Sequence, residues 1–189
     1  GEFTPLFTER DDGADAVRWA ASQPWSNNII NIFNSSYVGA TQWLAAQDGD
    51  EALRALVPVV TIADDYEGMQ YQGGVKVHHG VGWAMMMAGE AVQRRIAAGG
   101  TPPNDPTAFD IEAATVRLPL SDQPLLREYA PWYLEWLDHP QPGAFWEAGA
   151  PDAAYERITA PALNVGGWFD IFLWGTLRNY TGMRERGGS

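Results

Sequence analysis

The sequence contains no cysteine. Disulfide frameworks, thiol nucleophiles and cysteine metal sites are excluded, while the redox compartment stays open. Basic residues are scarce, 12 against 24 acids for a formal net charge of -12, and Lys76 is the only lysine. Binding a phosphate backbone needs a basic patch, so nucleic acid is not expected as a partner and the acidity reads as a solvating surface. No apolar run approaches the roughly 18 residues of a bilayer span, and the stretch 81–91 reads as a buried or amphipathic helix. The opening Gly1-Glu2-Phe3-Thr4-Pro5 has no basic or apolar leader region and no methionine. No membrane partner is expected, a soluble, cytoplasmic protein is favoured, and the chain is expected to lack its natural beginning.

What is present suits a globular domain: 189 residues, 46% apolar, enough for a substantial core. Helical spacing of Ala14, Val17 and Ala21, acids at the start and Pro24 after the end predict a helix over 11–23. A strand over 29–33 and a helix over 36–46 follow. Residues 56–62 are nearly all apolar, as in a parallel strand covered on both faces, with Pro58 marking a bulge or an edge. Between 64 and 160 the pattern turns to helical segments, 82–98, 125–137 and 153–157, around a turn-rich stretch at 99–106. A last unit comprises a strand over 162–166, a loop over 167–170 and a helix from about Phe172. The expected class is α/β with a mostly parallel sheet, its core formed by 1–74 and 150–189 and a helical cap inserted over 75–149.

Function in such sheets lies at the carboxyl ends of the strands. There the run Ile29-Ile30-Asn31-Ile32-Phe33-Asn34-Ser35-Ser36-Tyr37-Val38-Gly39 has the outline of a nucleophile elbow: strand, strained turn, serine, helix. Ser36 is the candidate nucleophile, and the helix start behind it offers N–H groups to an oxyanion. A serine hydroxyl needs a base, and the base an orienting acid. Asp170, also placed just after a strand, is the candidate acid in the chain order Ser…Asp…His. The histidines are His78, His79 and His139, and none lies between Asp170 and Ser189.

Each feature also has a plain structural explanation. Serines at a strand–helix junction are often N-caps, and an aspartate after a strand is commonly a loop cap. Adjacent His78 and His79 face different directions and read as surface residues rather than a metal pair. His139, before Pro140 at the end of an aromatic helix, is expected to cap or stack. Asp64, Asp65 and Glu67 could form a carboxylate pair for glycosidic hydrolysis, but a solvated turn is the simpler account. The nine tryptophans read mostly as core and cap packing. No cofactor or metal motif is visible.

Several blocks resemble the CocE/NonD hydrolases of the Xaa-Pro dipeptidyl-peptidase (S15) group. They are Asp12-Gly13-Ala14-Asp15-Ala16-Val17-Arg18-Trp19, Gln23-Pro24-Trp25-Ser26, the elbow through Thr41-Gln42-Trp43, and Ala55 to Thr61. Arg157 to Phe172, containing Gly166-Gly167-Trp168-Phe169-Asp170, and Gly175 to Tyr180 continue the match. The resemblance implies an α/β-hydrolase fold, present in part, and an ester or amide of a small molecule as substrate. It implies Ser36 as nucleophile, the Tyr37 backbone N–H as oxyanion donor and Asp170 as triad acid, with no cofactor. In the family a second oxyanion donor, a tyrosine hydroxyl, lies upstream of the matching region. A histidine in a Trp-x-His motif lies downstream, followed by a jelly-roll domain. A fragment, or a degenerate homologue without the histidine, is the alternative expectation. Aminoester hydrolases of this group place acids two and three residues after the triad aspartate. Phe172 and Leu173 stand there, so an uncharged acyl substrate fits better. Asn28, Asn31 and Asn34 replace the family's usual glycines; Asn28 should tolerate a turn, whereas Asn34 is expected to crowd the elbow and slow acylation. A sheet without its first strands should leave an unpaired edge and an uncovered apolar face, making the isolated chain marginal or prone to aggregate.

Overall fold

The computed structural model describes residues 3–103 and 110–187. The chain forms two compact units, Gly1–Met69 with Gly143–Ser189, and Gln70–Pro142. The first unit contains helix α1 (Glu9–Ser22), strand β1 (Ile30–Ser35), helix α2 (Tyr37–Ala46) and strand β2 (Leu53–Val59). In the second unit a two-residue hairpin pair, β3 (Tyr71–Gln72) and β4 (Val75–Lys76), precedes α3 (His79–Ala97), α4 (Ile111–Thr115), α5 (Pro124–Tyr129) and α6 (Pro131–Asp138). The chain then returns to the first unit through α7 (Ala144–Glu147), a 3₁₀ helix (Pro151–Arg157) and α8 (Leu173–Arg186).

β1 and β2 pair in parallel with Ile32 opposite Leu56 and Ser35 opposite Val59. On the other side of β2 the segment 161–165 also runs parallel, bridging Leu56 to Ala162 and Val59 to Val165. The strand expected over 162–166 is therefore reduced to isolated bridges, and Pro58 supplies the reason. Its carbonyl accepts from Val165 N at 3.1 Å, on the side facing 161–165, where its ring nitrogen has no hydrogen to donate. Pro58 thus marks neither an edge nor a bulge, since β2 is the middle strand. The irregularity in register lies instead between Ile30 and Asn31.

Period-two alternation sorts this sheet into two faces. Ile32, Leu56 and Ala162 share the covered face, packed with Val17 of α1, Trp43 of α2 and Tyr155. Phe33, Val57 and Leu163 lie on the other face, which is open: Phe33 is 77% and Leu163 64% exposed. The expected uncovered apolar face is present. β1 forms the outer edge, with β2 as its only sheet neighbour among the described residues.

α2 is built from small residues that let it lie close to its neighbours. A Cβ on Gly39 would stand 2.8 Å from the Thr61 Cβ, and the α1 residue Gly13 approaches Ala45 in the same way. α8 is anchored by a buried relay in which Tyr155 Oη donates to Asn179 Oδ1 at 2.7 Å and Asn179 Nδ2 donates to the Ile62 carbonyl at 2.9 Å.

In the second unit, the single helix expected over 125–137 is two helices. Ala130 breaks it with φ -145° and ψ 55°, because Pro131 disfavours helical backbone at the residue before it. Trp83, Trp132 and Trp136 cluster within this unit, with Trp83 stacked on Trp136 at 6.2 Å. α3 begins three residues earlier than expected, at His79 rather than residue 82. Of the turn-rich stretch 99–106, residues 104–106 lie outside the described residues. No helix among the described residues is long and apolar enough to cross a membrane.

Gly182, inside α8, faces the Tyr155 ring so closely that any Cβ would collide with it. Gly182→Ala should therefore lower stability by about 1–3 kcal/mol in urea titration, despite the better helix propensity of alanine. An increase in stability would show that the α8–Tyr155 contact is looser than described.

Candidate active site

The residue between β1 and α2 has a costly backbone. Ser36 has φ 59° and ψ -128°, a region that side-chain-bearing residues rarely enter and that costs of order 1–3 kcal/mol. Such a conformation persists only when its surroundings over-determine it, and here they do. Ser36 N donates to the Val59 carbonyl at 2.9 Å. Its own carbonyl accepts from Gly39 N at 2.9 Å, Ala40 N at 3.2 Å and Thr61 Oγ1 at 2.7 Å. The side chain of Ser36 is exposed at the sheet's carboxyl edge.

Beneath the turn, the buried amide of Gln42 serves as a wedge. Its Nε2 donates to the Asn34 carbonyl at 3.1 Å, and its Oε1 accepts from Val57 N at 3.1 Å. One side chain of α2 thus holds both parallel strands just below the serine.

Tyr37 opens α2. Its hydroxyl donates to the Glu9 carboxylate and accepts from Leu6 N at 3.2 Å, tying the N-terminal segment to the elbow. Burial first, then the Glu9 hydrogen bond, pushes this phenol well above its ordinary pKa, so it stays neutral.

Asp170 follows segment 161–165 in a tight turn, its N donating to the Gly167 carbonyl at 3.1 Å and its Oδ1 accepting from Phe172 N at 2.7 Å. Asp170 therefore fulfils the loop-cap role with one carboxylate oxygen. Ser36 and Asp170 leave the same end of the sheet on either side of β2, so their strands are about 10 Å apart. Phe172 packs against the cluster of Leu6, Ala40, Leu44 and Ile62.

The structure disposes the remaining candidates differently. Asn34 does not crowd the elbow. Its side chain is exposed and its Oδ1 accepts from Ser35 N at 2.8 Å, so it presses on no neighbour among the described residues. Asn28 has φ 61°, left-handed backbone that asparagine tolerates better than other residues with a side chain, as expected of it in a turn. The turn at 64–67 is not simply solvated: Asp65, only 1% exposed, and Tyr66 are buried, while Asp64 and Glu67 are half-buried. His78 and His79 lie exposed at the start of α3. His139 caps α6, its Nδ1 lying 2.9 Å from the Glu135 carbonyl. Among the described residues, no group of three or more histidine or acidic side chains is arranged to hold a metal ion. The supports Thr61, Gly39 and Gln42 were not singled out from the sequence. A polar Gln42 directly followed by Trp43 and Leu44 was the visible clue to a buried amide.

A parallel β–α–β core with a strained serine at the strand–helix junction defines the α/β-hydrolase class. The chain belongs to the X-Pro dipeptidyl-peptidase (S15) family, whose sequence profile matches residues 1–188. It is 30% identical over 196 aligned positions to a cocaine esterase of Rhodococcus sp. (strain MB1 Bresler), covering 98% of this chain and 34% of the esterase. Among solved structures it resembles a CocE/NonD family hydrolase from Staphylococcus aureus, with TM-score 0.64 and 20% identity. All of this chain and 28% of that one are aligned. An α-amino acid ester hydrolase gives TM-score 0.63 at 21% identity, over 94% of this chain and 29% of that one. The chain thus spans about a third of the length of these relatives.

Two measurements probe the site's supports. Gln42→Leu keeps the bulk but strands the Val57 N–H and the Asn34 carbonyl, and should cost about 2–3 kcal/mol in denaturant titration. Asp64 has a raised pKa, chiefly because burial penalises its charge, with Asp152 adding to the rise. A folded-state pKa above the unfolded one means the native state binds the proton more tightly, so stability falls as pH rises through that interval. Asp64→Asn should therefore raise Tm at pH 7, with the gain shrinking as pH falls through that interval and gone below the ordinary aspartate range. A gain that persists at acid pH would place the cost elsewhere.

Proposed function

We propose that this chain carries the nucleophile and acid of an acyl-transfer site, Ser36 and Asp170, with the Tyr37 N–H as oxyanion donor. The observation that carries the reading is the Ser36 backbone, held at φ 59° and ψ -128° at the same end of the sheet from which the segment leading to Asp170 departs. Ser36 Oγ attacks the carbonyl carbon of an ester or amide while its proton passes to a histidine base. The tetrahedral oxyanion is held by the Tyr37 N–H, and the leaving alcohol or amine departs with that proton. Water then repeats the sequence on the acyl-enzyme, releasing the acid and free Ser36. Asp170 orients the imidazole through its second carboxylate oxygen.

The base is a histidine downstream of Asp170, as the family resemblance implies. An uncharged acyl group suits the site, since Phe172 is committed to apolar packing and Leu173 carries no charge for a substrate ammonium. Esterase chemistry has the support of the Rhodococcus relative, itself a cocaine esterase. We assign the helical unit Gln70–Pro142 as the inserted cap.

The test uses a longer form that supplies the histidine, for instance this sequence joined to the C-terminal part of the Rhodococcus esterase. A fluorophosphonate probe should label it, and Ser36→Ala should abolish labelling. Labelling that survives Ser36→Ala would refute the assignment, and no labelling of the longer form would favour a non-catalytic homologue.

A further inference from the structure

Ser36 and Tyr37 share one peptide group, and a trans peptide is planar, with its C=O and N–H pointing in opposite directions. Whatever fixes the direction of the Ser36 carbonyl also fixes the direction of the Tyr37 N–H. Two of the three groups bonded to that carbonyl, Gly39 N and Ala40 N, belong to α2 and move with it. The third, Thr61 Oγ1, comes from beyond β2 and makes the shortest contact, 2.7 Å. We propose that Thr61 is a positioning residue that aims the Tyr37 N–H at the oxyanion by holding the Ser36 carbonyl from the sheet. The inference rests on the reading of Ser36 as nucleophile and of the Tyr37 N–H as oxyanion donor.

The surroundings of Thr61 suit this task. Val59 accepts from Ser36 N and Thr61 donates to Ser36 O, so both peptide groups of the nucleophile are referenced to a single stretch of chain. Between them Val60 has φ 43°, an outlier for a β-branched residue, at the bend between these two contacts. Thr61 is buried, and its β-branched side chain is stiff about χ1, which restricts where its hydroxyl can point. Gly39 leaves the space: a Cβ there would stand 2.8 Å from Thr61 Cβ and 3.2 Å from Oγ1. A hydroxyl that merely satisfied itself in the core would need none of this convergence on the residue after which the helix begins.

Thr61→Val removes the donor and keeps the shape, and Thr61→Ser keeps the donor. Two readouts separate the proposal from a purely structural role. In this chain, the residual dipolar coupling of the Tyr37 N–H, compared with those of Trp43 and Leu44 in the same helix, reports the tilt of the shared peptide. In the longer form with a histidine, the fluorophosphonate labelling rate reports the chemistry. Thr61→Val should shift the Tyr37 coupling while leaving those of Trp43 and Leu44 in place, and should slow labelling about tenfold with probe affinity unchanged. Thr61→Ser should restore both. An unchanged Tyr37 coupling in Thr61→Val overturns the proposal, as does wild-type labelling. If Thr61→Val does not fold, Thr61→Cys, with its weaker donor, replaces it under the same two outcomes. Labelling that ignores Ser36→Ala would sink the reading of the nucleophile, and the dipolar coupling then judges the Thr61 contact by itself.

Discussion

The candidate site depends on one backbone conformation, that of Ser36. A residue at φ 59° and ψ -128° gains nothing locally from being there, so its environment must impose the geometry. Here three elements converge on it. β2 receives its N–H, α2 and Thr61 bind its carbonyl, and the Gln42 amide holds the strands apart just below. Because these groups are buried or backbone, loosening any one of them leaves an unsatisfied polar atom, which is costly in a low-dielectric interior. The turn is rigid for the same reason that it is strained.

The opposite face of the same sheet has no such support. Phe33, Val57 and Leu163 form an apolar surface that no helix covers among the described residues, and β1 presents an outer edge. The unit is thus asymmetric, with Trp43 and Tyr155 packing the face beneath α1 and α2 while the other lies open. That asymmetry accords with a chain spanning about a third of the length of its relatives. It also locates the aggregation hazard at Phe33 and its neighbours rather than at the serine turn.

Much of this was readable from residue pattern, and what was not has physical causes. The β1–α2 junction showed itself because a β-branched run gives way to serines and then to small residues at helical spacing, a local signal. Asp170 was found by the same logic of strand followed by tight turn. Pro131 was passed over because helical periodicity continues across it, although its effect on Ala130 is a local rule. The reduction of 161–165 to isolated bridges could not be read from its own residues, since it depends on which side of Pro58 it pairs with. Asn34 misled for a related reason: whether a side chain crowds a turn depends on what stands opposite, and here it meets solvent. Thr61 was invisible as a support because its contact with Ser36 joins positions 25 apart in sequence. The residue pattern itself offered Ser36 and Asp170 as candidate nucleophile and acid, the family resemblance added the Tyr37 N–H, and the geometry shows which contacts hold the Ser36 backbone.

The central claim, that this chain by its own contacts holds Ser36 in a strained elbow, is tested most directly by measuring that backbone in the chain alone. An NMR determination of the Ser36 φ from its three-bond HN–Hα coupling and backbone chemical shifts should return a positive value near 59°. A negative φ, whether helical or extended, would mean that Ser36 is an ordinary N-cap and would contradict the account.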